Sequence, residues 1–128
     1  MLLVYEAHPL YHRDEISVYA LKGEKLITTG RGFRIFSTLQ KACLDAGFYP
    51  RVEAEVNEIN LCHRLVSMGE GIGLTVDFIA DMVVQEGVRA IPFQEDCLIW
   101  RVGMMRKRNM VLSKGAQAFW DFLRQYRQ

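Results

Sequence analysis

The chain has 128 residues, half of them hydrophobic, with 16 basic and 15 acidic side chains and a net charge of +1. That length suits one compact unit and is short for two ordinary domains, while the hydrophobic fraction excludes an intrinsically disordered chain. The near-balance of charge excludes an overall field that concentrates nucleic acid or anionic membrane, so any DNA contact requires a local patch.

The opening residues, Met1-Leu2-Leu3-Val4-Tyr5-Glu6, lack the basic leader and long apolar stretch of a secretion signal. No apolar run approaches the roughly 20 residues of a membrane span. A cytoplasmic protein with no membrane partner is the expectation. Leu2 to Ala7 reads as a strand closed by His8-Pro9, because the residue before a proline is pushed out of helical geometry. A short helical turn covers Val18 to Lys22, and Lys25 to Thr28 is a second strand. A loop, Thr29-Gly30-Arg31-Gly32, then feeds a helix from about Phe33 to Ala46, in which Phe36, Leu39, Cys43 and Ala46 share one face. Gly47 stands at the left-handed cap and Pro50 follows.

Arg51 to Val56 alternates polar and apolar residues as a strand does, and Asn57 is placed to cap a helix that runs to about Met68 with Ile59, Cys62, Leu65 and Val66 inward. After Gly69-Glu70-Gly71 come a strand from Ile72 to Val76 and a helix from Asp77 to Glu86 that ends at Gly87. Val88 to Pro92 is a further strand, and Leu98 to Arg106 a longer one. Ser113 caps a last helix with Ala116, Phe119, Trp120 and Leu123 on one side. Strands alternating with helices predict an α/β unit with a largely parallel sheet.

Cys43, Cys62 and Cys97 are odd in number, widely spaced and set among apolar residues, which points to small core side chains in a reducing compartment and not to a disulfide framework. His63 beside Cys62 is no nucleophile and base pair, since consecutive helical residues diverge. His8 and His12 have metal-compatible spacing only on a helix, which Pro9 opposes. No metal, cofactor or catalytic residue is expected. Gly69-Glu70-Gly71-Ile72-Gly73 ends a helix and enters a strand, the reverse of a dinucleotide fingerprint, and reads as a turn. Arg106-Lys107-Arg108 reads as a solvated turn at a strand end.

Several segments resemble, in order and spacing, the effector-binding domain of LysR-type bacterial transcriptional regulators. They are His8-Pro9-Leu10, Leu26 to Gly30, Ala46-Gly47-Phe48-Tyr49-Pro50, Arg64 to Leu74, and the ending Arg106-Lys107-Arg108, Leu112 to Phe119 and Phe122-Leu123. The resemblance implies a periplasmic-binding-protein-like (type 2) α/β fold. Residues 11–92 would be mainly the second lobe, with residues 1–10 and 93–128 supplying crossover strands, a final helix and a first-lobe remnant. It further implies a small-molecule effector carrying a carboxylate or other anionic group, and a homodimer or higher self-association. DNA would be met only through an N-terminal winged helix-turn-helix that this chain lacks, so the chain is expected to be a truncated sensing domain and not an enzyme.

In an open α/β sheet, ligands sit beyond the carboxyl ends of strands, where helix N-termini present free amides. Thr28, Thr29, Gly30, Arg31 and Phe33 form one such place, Asn57 and Glu58 another, and Thr75 a third at the interlobe crevice that the resemblance implies. The ordinary alternatives are a strand-to-helix loop for the first and a helix cap for the second. Two other readings of the chain are a fragment of a periplasmic-type solute-binding protein and a small α/β enzyme. The first should carry an exported leader, the second a nucleophile elbow, a metal cluster or paired buried carboxylates.

Overall fold

A computed structural model describes residues 1–30, 34–82, 85–99 and 103–125. Its strands are β1 (Leu2–Tyr5), β2 (Lys25–Thr29), β3 (Arg51–Val56), β4 (Ile72–Leu74) and β5 (Val88–Ile91). Its helices are α1 (Arg34–Asp45), α2 (Ile59–Ser67), α3 (Asp77–Met82) and α4 (Lys114–Gln125), with 3-10 turns at Val18–Leu21 and Asp96–Leu98.

The five strands form one sheet in the order β3-β2-β4-β1-β5. β2 runs parallel to β3 and β4, whereas β1 runs antiparallel to β4 and β5. The expected parallel sheet therefore holds for four strands, with β1 reversed among them. The chain passes from β2 through α1 to β3 on one side of β2, then through α2 to β4 on the other, so the order switches at β2.

Strand side chains alternate between the two faces. Leu2, Val4, Leu26, Ile72 and Leu74 pack with Leu39, Ala42 and Cys43 of α1, and Leu3 and Ile27 pack with Cys62 and Val66 of α2. The two helices thus cover opposite faces, as a doubly wound sheet requires. Each fully buried leucine or isoleucine here contributes about 1.5–3 kcal/mol relative to exposure.

Glycine allows the closest approaches. A Cβ on Gly73 would lie 2.8 Å from Val66 Cγ2 and 2.9 Å from Cys62 Sγ, so only a bare backbone lets α2 rest on β4 there. Gly47, at φ +84°, takes the left-handed cap of α1, with the Phe48 amide donating to the Cys43 carbonyl at 3.0 Å.

Several expected boundaries move. The first strand ends at Tyr5 because the His8 amide turns back to the Tyr5 carbonyl at 3.0 Å. The third helix is described only to Met82, with 83 and 84 outside the described residues. The cap of α2 is Glu58 and not Asn57, and it makes no side-chain bond to the helix. The Val56 carbonyl accepts from the Gly30 amide at 3.0 Å, which keeps β3 paired to its last residue and places Asn57 beside Gly30.

The strand expected over Leu98 to Arg106 falls partly outside the described residues. Leu98 ends a 3-10 turn, 103–106 have no regular structure, and 100–102 lie outside the described set. Ser113 does cap α4, its hydroxyl accepting from the Ala116 amide at 3.3 Å. No residue of α4 is buried, and Arg106 lies 5.1 Å from the Trp120 ring centroid, a cation–π distance.

Candidate functional site

The carboxyl ends of β4 and β5 and the first turns of α1 enclose a cavity of about 440 Å³. It is lined by Arg34, Thr38 and Leu39 of α1, by Leu74 of β4, by Phe93 and Glu95 after β5, and by Asp77 at the start of α3. This is the position that open α/β sheets use for ligands, beside the point where strand order reverses. The charged groups lining it are the Arg34 guanidinium, the Met1 amine and the carboxylates of Asp77 and Glu95.

Of the residues expected from sequence, Thr75 lines this cavity, yet its hydroxyl is engaged on the α2 side, 3.0 Å from Nε2 of the buried His63. Thr28 is buried and its hydroxyl donates to the Thr29 carbonyl at 2.8 Å. Thr29 is also buried, and its Oγ1 has no hydrogen-bond partner among the described residues. A Cβ added to Gly30 would sit 3.4 Å from Asn57 Oδ1, so the Thr29–Gly30 turn and Asn57 come together at the carboxyl end of β2. Asn57 and Glu58 are exposed. Arg31 and Phe33 lie outside the described residues.

Arg34, Glu95 and His63 were missed. Arg34 carried a signal, since it opens the helix just past the candidate loop. Glu95 carried none: its Oε1 accepts from Ser17 Oγ at 2.7 Å and from the Val18 amide at 2.9 Å, partners 77 and 78 positions away. His63 adjoins Cys62 in sequence, but the structure separates the two side chains, Cys62 Sγ donating toward the Ile27 carbonyl at 3.5 Å. Among the described residues no three His, Cys, Asp or Glu side chains cluster as metal ligands.

Cys43 and Cys62 are buried free thiols, and the Cys97 side chain is outside the description. Burial pushes both thiols up to about 11. Their contribution to stability is full below the unfolded thiol range, near about 8.5, and is lost as pH rises toward the folded value. In a Cys97→Ser variant, both thiols are expected to react with a disulfide reagent near neutral pH only at the rate of unfolding. Reaction within seconds in native buffer would contradict this placement.

Residues 1–128 match the model of the LysR substrate binding domain. The chain is 27% identical over 126 residues to the HTH-type transcriptional regulator YwbI of Bacillus subtilis, covering 98% of this chain and 42% of that protein. It is similar to the regulatory domain of CcmR from Synechocystis PCC6803 in complex with 2-PG, with a TM-score of 0.76 and 18% identity over 95% of this chain and 59% of that one. It is similar also to the effector binding domain of QuiR in complex with shikimate, with a TM-score of 0.73 and 20% identity over 98% of this chain and 59% of that one. The chain spans less than half the length of the curated relatives it matches. The structural likeness establishes the periplasmic-binding-protein-like type 2 fold. Matched along its whole length by that family model, the chain belongs to the LysR substrate binding domain family.

Proposed function

We propose that this chain is the effector-sensing part of a LysR-type transcriptional regulator, binding a small molecule that carries an anionic group and thereby controlling the DNA-binding activity of the whole protein. The observation that carries the reading is the cavity at the carboxyl ends of β4 and β5, walled by Arg34 at the start of α1. A guanidinium presents a bidentate donor fork to a carboxylate or phosphate. The relatives named with shikimate and 2-PG support the same chemistry. In the whole regulator the molecule would act only through its differential affinity for two arrangements of the protein.

The test is a thermal-shift panel of small carboxylates and phosphates on this chain, followed by Arg34→Ala. At least one compound is expected to raise the melting temperature of the original chain, and Arg34→Ala to remove that rise while leaving the free protein's melting temperature nearly unchanged. Thr29→Val in the same assay reports on the second cluster, Thr28, Thr29, Gly30, Asn57 and Glu58. A rise that survives Arg34→Ala and disappears in Thr29→Val moves the site to the end of β2.

We also propose self-association through α4. Phe119 and Phe122 are 63% and 51% exposed, and buried aromatics of this size each remove roughly 150–250 Å² from water. Sedimentation is expected to show a mass above that of one chain, falling to one chain in Trp120→Glu. A wild-type chain that stays monomeric at high concentration overturns the proposal.

A further inference from the structure

Glu95 is fixed in place and only half satisfied. Its Oε1 accepts from the Ser17 hydroxyl and the Val18 amide, which prevents the carboxylate from turning. Its Oε2 is buried and has no hydrogen-bond partner among the described residues. An unmatched buried acceptor costs roughly 1–3 kcal/mol, so the site is stabilised by any donor that reaches it. The residue lines the cavity together with Arg34 of α1 and the Met1 amine, which donates to the Thr75 carbonyl at 2.9 Å. Asp77, the other carboxylate of the lining, accepts from the Phe78 amide at 2.8 Å. Asp77 also has the Met1 amine near it, so a purely anionic occupant would satisfy Arg34 and leave the unmatched oxygen of Glu95 facing negative charge.

We infer that the effector is amphoteric: its anionic group pairs with Arg34, and an ammonium or comparable cationic nitrogen donates to Glu95 Oε2. The inference rests on the cavity being the effector site and adds the charge class of the molecule. The oxygen is covered in this structure, so the occupant engages it by displacing the side chains beside it. Glu95 then acts as the specificity-determining residue. An analogue without the cationic nitrogen leaves a buried acceptor unmatched, the circumstance in which polar sites discriminate most strongly.

The matched probes are 4-(aminomethyl)benzoate and 4-methylbenzoate, alike in shape and differing in the ammonium. Amide chemical shifts on the isotope-labelled chain supply two reporters: Val18, whose N–H donates to Glu95, and Thr38 of α1, which lines the cavity. The ammonium probe is expected to move both amides and to bind roughly tenfold or more tightly than the methyl probe. In Glu95→Gln the amide oxygen keeps the Ser17 and Val18 bonds while an N–H₂ replaces Oε2. That variant should therefore retain the native spectrum, lose the preference for the ammonium probe, and bind the methyl probe as before. Equal binding of the two probes, or a preference that survives Glu95→Gln, overturns the assignment to Glu95 while the cavity stands. If neither probe moves Thr38, the cavity reading fails together with the inference.

Discussion

Gly71→Ala is expected to cost about 3 kcal/mol of folding stability, the upper part of the usual range for overpacking. A Cβ at Gly71 would lie 2.6 Å from the Lys25 carbonyl oxygen and 3.3 Å from Ile27 Cγ1. The first contact is backbone, so no side-chain rotation relieves it, and β2 and β4 must separate just where they pair, at Leu26–Ile72. That seam joins the two halves of the sheet. Urea denaturation should show a lower midpoint with an unchanged slope, because the area exposed on unfolding stays the same. Gly115→Ala is the internal control: it lies in the first turn of α4 with nothing within 4 Å of the added carbon. It should be neutral or stabilising by up to about 1 kcal/mol. If the two variants prove equally stable, the close packing assigned to Gly71 is wrong.

Leu26→Ala is expected to cost about 2–5 kcal/mol, the span seen for truncating a core leucine. Leu26 is 1% exposed and lies on the inner strand β2, in the cluster with Leu2, Leu39 and Ile72. β2 is hydrogen-bonded on both sides, so the backbone has little freedom to close the space left behind. Against a total stability of about 5–15 kcal/mol, that loss is severe. Leu61→Ala is the comparison, since Leu61 is 45% exposed on α2 and its loss should stay within about 0.5–1 kcal/mol. A Leu26→Ala variant that melts with the parent would mean that β2 does not lie at the centre of the core.

The sequence by itself determined the elements whose signals are local. β3 has the bounds that its alternation predicts, because Arg51, Glu53 and Glu55 face water while Val56 is buried. α1 follows the period of Phe36, Leu39 and Cys43, all buried, and ends where Gly47 can take positive φ. The family was legible for the same reason, since its motifs are short runs around turns and caps.

Tertiary structure alone decided what depends on distant partners. Asn57 has the chemistry of a cap, but the pairing of Gly30 with Val56 leaves that position to Glu58. Thr75 lines the cavity, and only the tertiary structure brings His63 of α2 to its hydroxyl. Glu95 enters the site through Ser17 and Val18, far away in the chain, which meet it only after β5 has docked against β1. Side-chain periodicity fixes which face of an element is buried. It carries no information about which polar group arrives from the other end of the chain, and that arrival decides whether a buried hydroxyl or carboxylate is already matched or still open to a ligand.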